Sequence, residues 1–167
     1  MSTAVVFFSR DGNTKFIAER LAGKLDARSV ELTEARSRRG FLGFMRSGYQ
    51  ASTKKSAQLV GDPWSQIAGV QHLYLLAPIW AGNANPVINA FLDQADLAGV
   101  QVSVATVQAD PGGQGADAVH LHLAQRIVAK GGVPTGAWTL HGAGPGKRAD
   151  EEHLLAELAK IQTPAGT

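Results

Sequence analysis

The N-terminal residues constrain the fold most, because an apolar strand there passes through a short polar turn directly into a helix. Residues 4–8 are apolar, β-branched or aromatic, which predicts a buried strand. Residues 15–25 have apolar side chains at helical spacing. A helix that begins so soon after a strand points its unpaired N–H groups, and the positive end of its dipole, out of the turn. The turn therefore predicts an anion site.

Polar side chains and one glycine in this turn indicate that the anion is a phosphate. Gly12 lets the backbone bend and approach the ligand closely. Three side chains are expected to add hydrogen bonds: Ser9, Asn13 and Thr14.

Length and composition limit the class of protein. With 167 residues and 44% hydrophobic content, the chain is expected to form one domain over 1–167. The absence of cysteine excludes disulfides, thiolate metal sites and cysteine nucleophiles. No apolar run approaches the ~20 residues of a membrane span, and no leader precedes the first strand, so we expect a cytoplasmic protein.

Positive charge is concentrated in one segment. Six basic residues lie between Glu34 and Asp62 with no acid among them, so this segment carries +6 and the rest of the chain −4, for a net charge of +2. Apolar residues at near-helical spacing predict an amphipathic helix over 40–54, which makes 36–62 a basic helical insertion. The segment is either a solvated face or a docking surface for an acidic partner or a phosphorylated ligand. Its bases are Arg36, Arg38, Arg39, Arg46, Lys54 and Lys55.

Strands and helices are predicted to alternate along the rest of the chain. Further strands are predicted over 28–33, 70–78, 100–107 and 133–140, and further helices from residue 86, over 116–130 and over 149–161. The alternation indicates an α/β fold with a parallel sheet between two layers of helices. The predicted architecture is a doubly wound, five-stranded parallel sheet of strand order 2-1-3-4-5. The last helix is expected to turn four residues inward: Leu154, Leu155, Leu158 and Ile161.

Right-handed crossovers place three loops at the carboxyl edge of this sheet, where doubly wound folds bind their ligands. The first is the phosphate turn. The second, residues 77–86, carries Trp80 beside Gly82, so a flat ligand is expected to stack on the indole; alternatively, Trp80 only caps the sheet edge. The third, residues 108–115, is rich in glycine, so its N–H groups can approach ligand carbonyls.

Three motifs, residues 8–14, 77–83 and 86–92, resemble those of the flavodoxin superfamily in its short-chain branch. The resemblance covers nearly the whole chain and implies a bound FMN. It implies that the phosphate lies on Ser9, Arg10, Asp11, Gly12, Asn13 and Thr14. It implies that the isoalloxazine lies on Pro78, Ile79, Trp80, Ala81, Gly82 and Asn83, with Gly112 and Gly113 at its pyrimidine edge.

The sequence departs from the family pattern at two places. Asp11 stands where the family usually has Thr or Ser, and Asp110-Pro111 stands where a second stacking aromatic is expected.

The five histidines predict no metal site; His120 and His122, for example, lie about 200° apart around a helix.

Three functions are compatible with these observations. The first is an FMN-binding redox protein that carries electrons between partner proteins. The second is an NAD(P)H-dependent quinone or FMN reductase, whose NADPH the arginines of the basic segment would suit. The third is a flavodoxin-like binding module with weak or no flavin, which Asp11 and the missing aromatic favour. No nucleic-acid partner is expected, and catalytic side chains are not predicted.

Overall fold

The structure is a computed structural model that describes residues 2–35 and 57–163. Its five strands form one parallel sheet of order β2-β1-β3-β4-β5, as predicted. The strands are β1 (Thr3–Phe7), β2 (Arg28–Glu31), β3 (His72–Pro78), β4 (Gln101–Gln108) and β5 (Val133–His141). Each strand lies within about two residues of its predicted bounds.

Helices cover both faces of the sheet, and each face has its own apolar core. The α-helices of the described residues are α1 (Asn13–Leu25), α2 (Pro86–Gln94), α3 (Ala116–Ala129) and α4 (Glu151–Leu158), and a short 3-10 helix, Ser65–Ile67, precedes β3. The central strand β3 contributes to both cores: Leu73 and Leu75 pack under α2 and α3, whereas Tyr74 and Leu76 pack under α1 and α4. This burial on both faces explains why β3 is apolar from Leu73 to its end. Within the described part of the chain, no helix is long and apolar enough to cross a membrane.

Local signals set the helix starts near the site. The Asn85 side chain accepts a hydrogen bond from the Val87 N–H at 2.9 Å, and Pro86 occupies the first helical position of α2. Asp150 caps α4 in the same way, through a 2.8 Å bond from the His153 N–H. Both helices therefore begin at fixed points directly behind loops at the carboxyl edge.

The structure differs from the prediction for the final helix. The final helix exposes Leu155, which is 47% accessible, because only Leu154 and Ile161 reach the core fully. Beyond the predicted helix of the insertion, Leu59 pairs with Glu34 in an isolated antiparallel bridge. The basic segment 36–55 and its predicted helix over 40–54 lie outside the described residues.

A buried histidine at the opposite, amino edge of the sheet makes stability depend on pH. His72 is 5% exposed, and its Nε2 lies 2.9 Å from the Ser103 hydroxyl, which in turn contacts the Thr135 hydroxyl at 2.9 Å. Burial lowers the pKa of His72 below its ordinary value of 6.5. Below pH 6.5 the unfolded chain binds more protons at this histidine than the folded chain does. The stability that depends on a neutral His72 is therefore complete above pH 6.5 and is lost as the pH falls.

We expect His72→Gln to remove part of this pH dependence. The wild type should lose stability between pH 7.5 and about pH 5, and the variant should lose less, because its buried side chain does not titrate. Urea unfolding at both pH values measures the difference. At pH 7.5 the difference in the free energy of unfolding between the two proteins measures the effect of the altered hydrogen bond. The change from pH 7.5 to the lower pH then measures the titration. An equal loss in both proteins would contradict the assignment.

Candidate functional site

The three predicted loops meet at the carboxyl edge of the sheet around two adjoining cavities. The first has a volume of about 410 Å³ and the second about 740 Å³, within the range of small-molecule sites. The cavities share five lining residues: Ile79, Trp80, Gln108, Ala109 and Pro145. The first cavity also reaches the turn after β1, and the second reaches the loop after β4.

The turn after β1 presents the amino end of α1 to the first cavity. Gly12 caps the helix at φ 87°, a conformation that favours glycine, and its carbonyl accepts the N–H of Phe16 at 3.1 Å. No acidic residue lies in the first turn of α1. The helix therefore has no negative side chain there to neutralise the positive end of its dipole. Thr14 is 2% exposed and lines the cavity with Ser9. This geometry suits a bound anion.

Asn13 lines the same cavity, but its side chain is already used. Its Nδ2 donates to the Lys147 carbonyl at 2.8 Å, and its Oδ1 accepts the N–H of Ala149 at 2.8 Å and of Ala143 at 3.4 Å. The sequence predicts this side chain as an anion donor. In the structure the loop after β5 occupies its Oδ1 and one of the two N–H groups of its Nδ2, and these bonds do not use the second N–H.

Trp80 lies at the mouth of both cavities at the start of a tight turn. The Asn83 N–H donates to the Trp80 carbonyl at 2.9 Å, and the two residues between them have positive φ, 48° at Ala81 and 72° at Gly82. The indole meets the Phe8 ring edge-on with centroids 5.8 Å apart, and the Arg10 guanidinium lies 5.9 Å from its centroid. These contacts on the indole orient a flat apolar surface at the site.

The loop after β4 contributes a different set of residues from the predicted one. Gly112 and Gly113 do not line either cavity; Gln108 lines both. The Gln108 Nε2 donates to the Asp110 carbonyl at 3.2 Å, which leaves its buried Oε1 with no partner. Because a carbonyl can only accept, the amide nitrogen must face Asp110 and the oxygen must be the unpaired atom.

Ten of the fourteen predicted site residues line these cavities. The four that do not are Gly12, Asn83, Gly112 and Gly113; the first two shape their turns, and Gly113 lies beside the Gln108 amide. Sequence reasoning missed the loop after β5, which supplies Ala143, Pro145 and Gly146. The signal for it was present as a glycine- and proline-rich run over 142–146. Among the described residues, no cluster of His, Asp or Glu is arranged to hold a metal ion.

Solved structures show the same architecture. A protein of Bacteroides uniformis classed as a flavoprotein superposes with a TM-score of 0.72 at 23% identity, covering 86% of this chain and 92% of that one. A flavoprotein of Lactobacillus acidophilus in complex with FMN gives a TM-score of 0.63 at 19% identity, covering 83% and 92%. Flavodoxin 2 of Bacillus cereus gives 0.58 at 18% identity, covering 95% and 94%.

No protein-family model and no curated protein matches the chain. The likeness to solved structures therefore establishes architecture, and it agrees with the motifs at residues 8–14 and 77–83. The chain has the flavodoxin-like fold.

Proposed function

We propose that this chain binds FMN at the carboxyl edge of the sheet and carries electrons between redox partners. One observation carries the proposal: the amino end of α1 and the Trp80 indole line the same cavity. An anion donor at one end and an aromatic surface at the other match a ligand with a phosphate and a planar ring. The complex of the L. acidophilus flavoprotein with FMN supports this choice of ligand.

The residues present fit such a ligand. Ser9 and Thr14 offer hydroxyl groups beside the amino end of α1, where a phosphate is stabilised. Trp80, Ile79 and Pro145 give both cavities apolar surface for a ring. The unpaired Gln108 Oε1 lies near their junction, and an acceptor without a partner costs about 1–3 kcal/mol until a donor reaches it.

FMN, when bound, supplies one- or two-electron transfer. The chain contributes position and environment. The amino end of α1 holds the phosphate end, the turn over 80–83 orients the ring, and the loops exclude water from one side of it. Asp11 also lines the cavity and places a carboxyl group near the phosphate end.

An NAD(P)H-dependent quinone or FMN reductase is the second candidate. The cavity of about 740 Å³ beside Trp80 favours it, because that space can admit a nicotinamide or a small acceptor next to the ring. NADPH consumption in the presence of a quinone distinguishes this enzyme from an electron carrier. A chain that binds no FMN would instead be the flavodoxin-like binding module.

Adding FMN to the apoprotein should quench tryptophan fluorescence, because a stacked flavin lies against Trp80. Trp64 and Trp138 also fluoresce, so the matched variant is Trp80→Phe, which retains an aromatic ring but removes this emitter. We expect saturable quenching in the wild type and a clearly smaller fractional change in Trp80→Phe. Equal quenching in the two proteins would place the flavin elsewhere, and no binding would refute the proposed function.

A further inference from the structure

Asn13 connects the phosphate turn to a loop far along the chain. The β5–α4 loop, residues 142–149, passes from the edge strand to the helix that packs beside α1. The Asn13 side chain makes three hydrogen bonds to this loop. It donates to the Lys147 carbonyl and accepts from the N–H groups of Ala143 and Ala149. Asn13 is only 7% exposed, so water cannot readily replace these bonds.

The loop also packs directly against Asn13. A Cβ atom added to Gly142 would lie 3.0 Å from the Asn13 Cγ and 3.1 Å from a Val107 methyl carbon. Such contacts are tighter than most Cβ contacts, so a methyl group here would displace the Asn13 side chain or Val107 by a few tenths of an ångström. Two residues further on, Gly144 has nothing within 4 Å of the corresponding position. The loop is thus tightly fitted at Gly142 and open at Gly144.

The anchored loop forms part of the ligand site. Ala143 and Gly146 line the cavity that contains Ser9 and Thr14, and Pro145 lines both cavities together with Trp80. At its start the loop is held by α4, since the His141 N–H donates to the buried Glu157 carboxylate at 2.9 Å. Asn13 then holds the loop near its start, at Ala143, and again near its end, at Lys147 and Ala149.

We propose that Asn13 is a positioning residue, whose side-chain amide fixes the β5–α4 loop as a fourth wall of the site so that Pro145 contacts the ligand. The proposal rests on the proposed function for the identity of that ligand. The Asn13 side chain acts on the ligand through the loop and makes no contact with the phosphate. Its loss should therefore weaken phosphorylated and unphosphorylated flavins equally.

Two variants disturb the anchor from opposite sides, and a third is the control. Asn13→Ala removes the three hydrogen bonds, Gly142→Ala forces the loop away from an intact Asn13, and Gly144→Ala adds the same methyl group where there is space. Trypsin cleavage after Lys147 and Arg148, followed by mass spectrometry, reports loop anchoring without any ligand. Calorimetric titrations with FMN and with riboflavin report the site.

We expect Asn13→Ala and Gly142→Ala to speed cleavage at these two bonds and to weaken FMN and riboflavin alike, by about tenfold, the scale of one lost hydrogen bond. Gly144→Ala should match the wild type. Unchanged cleavage in both anchor variants would overturn the proposal, as would a loss confined to FMN, which would show that Asn13 binds the phosphate. If Asn13→Ala does not fold, Gly142→Ala alone tests both the anchoring of the loop and its effect on flavin binding.

Failure of the proposed function is recognised separately. In that case the wild type binds neither flavin. Faster cleavage in the anchor variants would still show that Asn13 holds the loop, and the absence of binding would refute a contact between the loop and a flavin.

Discussion

Phe91→Ala is expected to lower the free energy of unfolding by about 3–5 kcal/mol, the range for removing a large buried aromatic side chain. Phe91 is 0% exposed in the core between α2 and the sheet. Its ring stacks on Trp64 with centroids 6.4 Å apart and planes within 6°. Alanine would leave a cavity that the flanking strands cannot close. Urea unfolding followed by circular dichroism measures the loss.

Leu121→Ala on α3 is the matched control, because Leu121 is 61% exposed. Its effect should stay within about 0.5 kcal/mol, as for other surface substitutions. Losses of similar size in the two variants would show that the core under α2 is not packed as the structure indicates. The core matters for the site because α2 begins directly behind the turn that carries Trp80, at the Asn85 cap.

The strand order was predictable because local patterns and a general handedness rule suffice for it. The apolar run of β3 indicates burial on both faces, and the Asn85-Pro86 pair indicates a helix start. Right-handed crossovers then determine which loops share an edge. Ten predicted site residues lie in those loops and line the cavities.

The remaining features depend on contacts between distant residues. The sequence predicts Asn13 as an anion donor within its own turn. Only the fold shows that the hydrogen-bond partners of its side chain are 130 or more residues away along the chain. Gly112 and Gly113 are predicted ligand contacts; the cavities are lined by other residues of the same loop, among them Gln108, Asp110 and Gln114. Leu155 fits the helical pattern of α4, but that face extends past the edge of the core.

Thr14→Val is expected to weaken FMN binding by about 1–3 kcal/mol, the scale of a hydrogen bond to a charged group, or roughly 5- to 150-fold. Thr14 is buried at the start of α1 and lines the cavity, and valine retains its shape while removing the hydroxyl. Thr14→Ser is the matched control, since it keeps the hydroxyl and should bind FMN nearly as the wild type does. Calorimetric titration measures both variants.

Riboflavin, which lacks the phosphate, separates a phosphate contact from a general disturbance. Its affinity should be the same for Thr14→Val and the wild type, so the preference for FMN should fall. The neighbouring residue is expected to behave oppositely: Asn13→Ala should weaken both flavins and leave that preference intact. If Thr14→Val instead weakened riboflavin as much as FMN, Thr14 would shape the cavity and the phosphate would lie elsewhere.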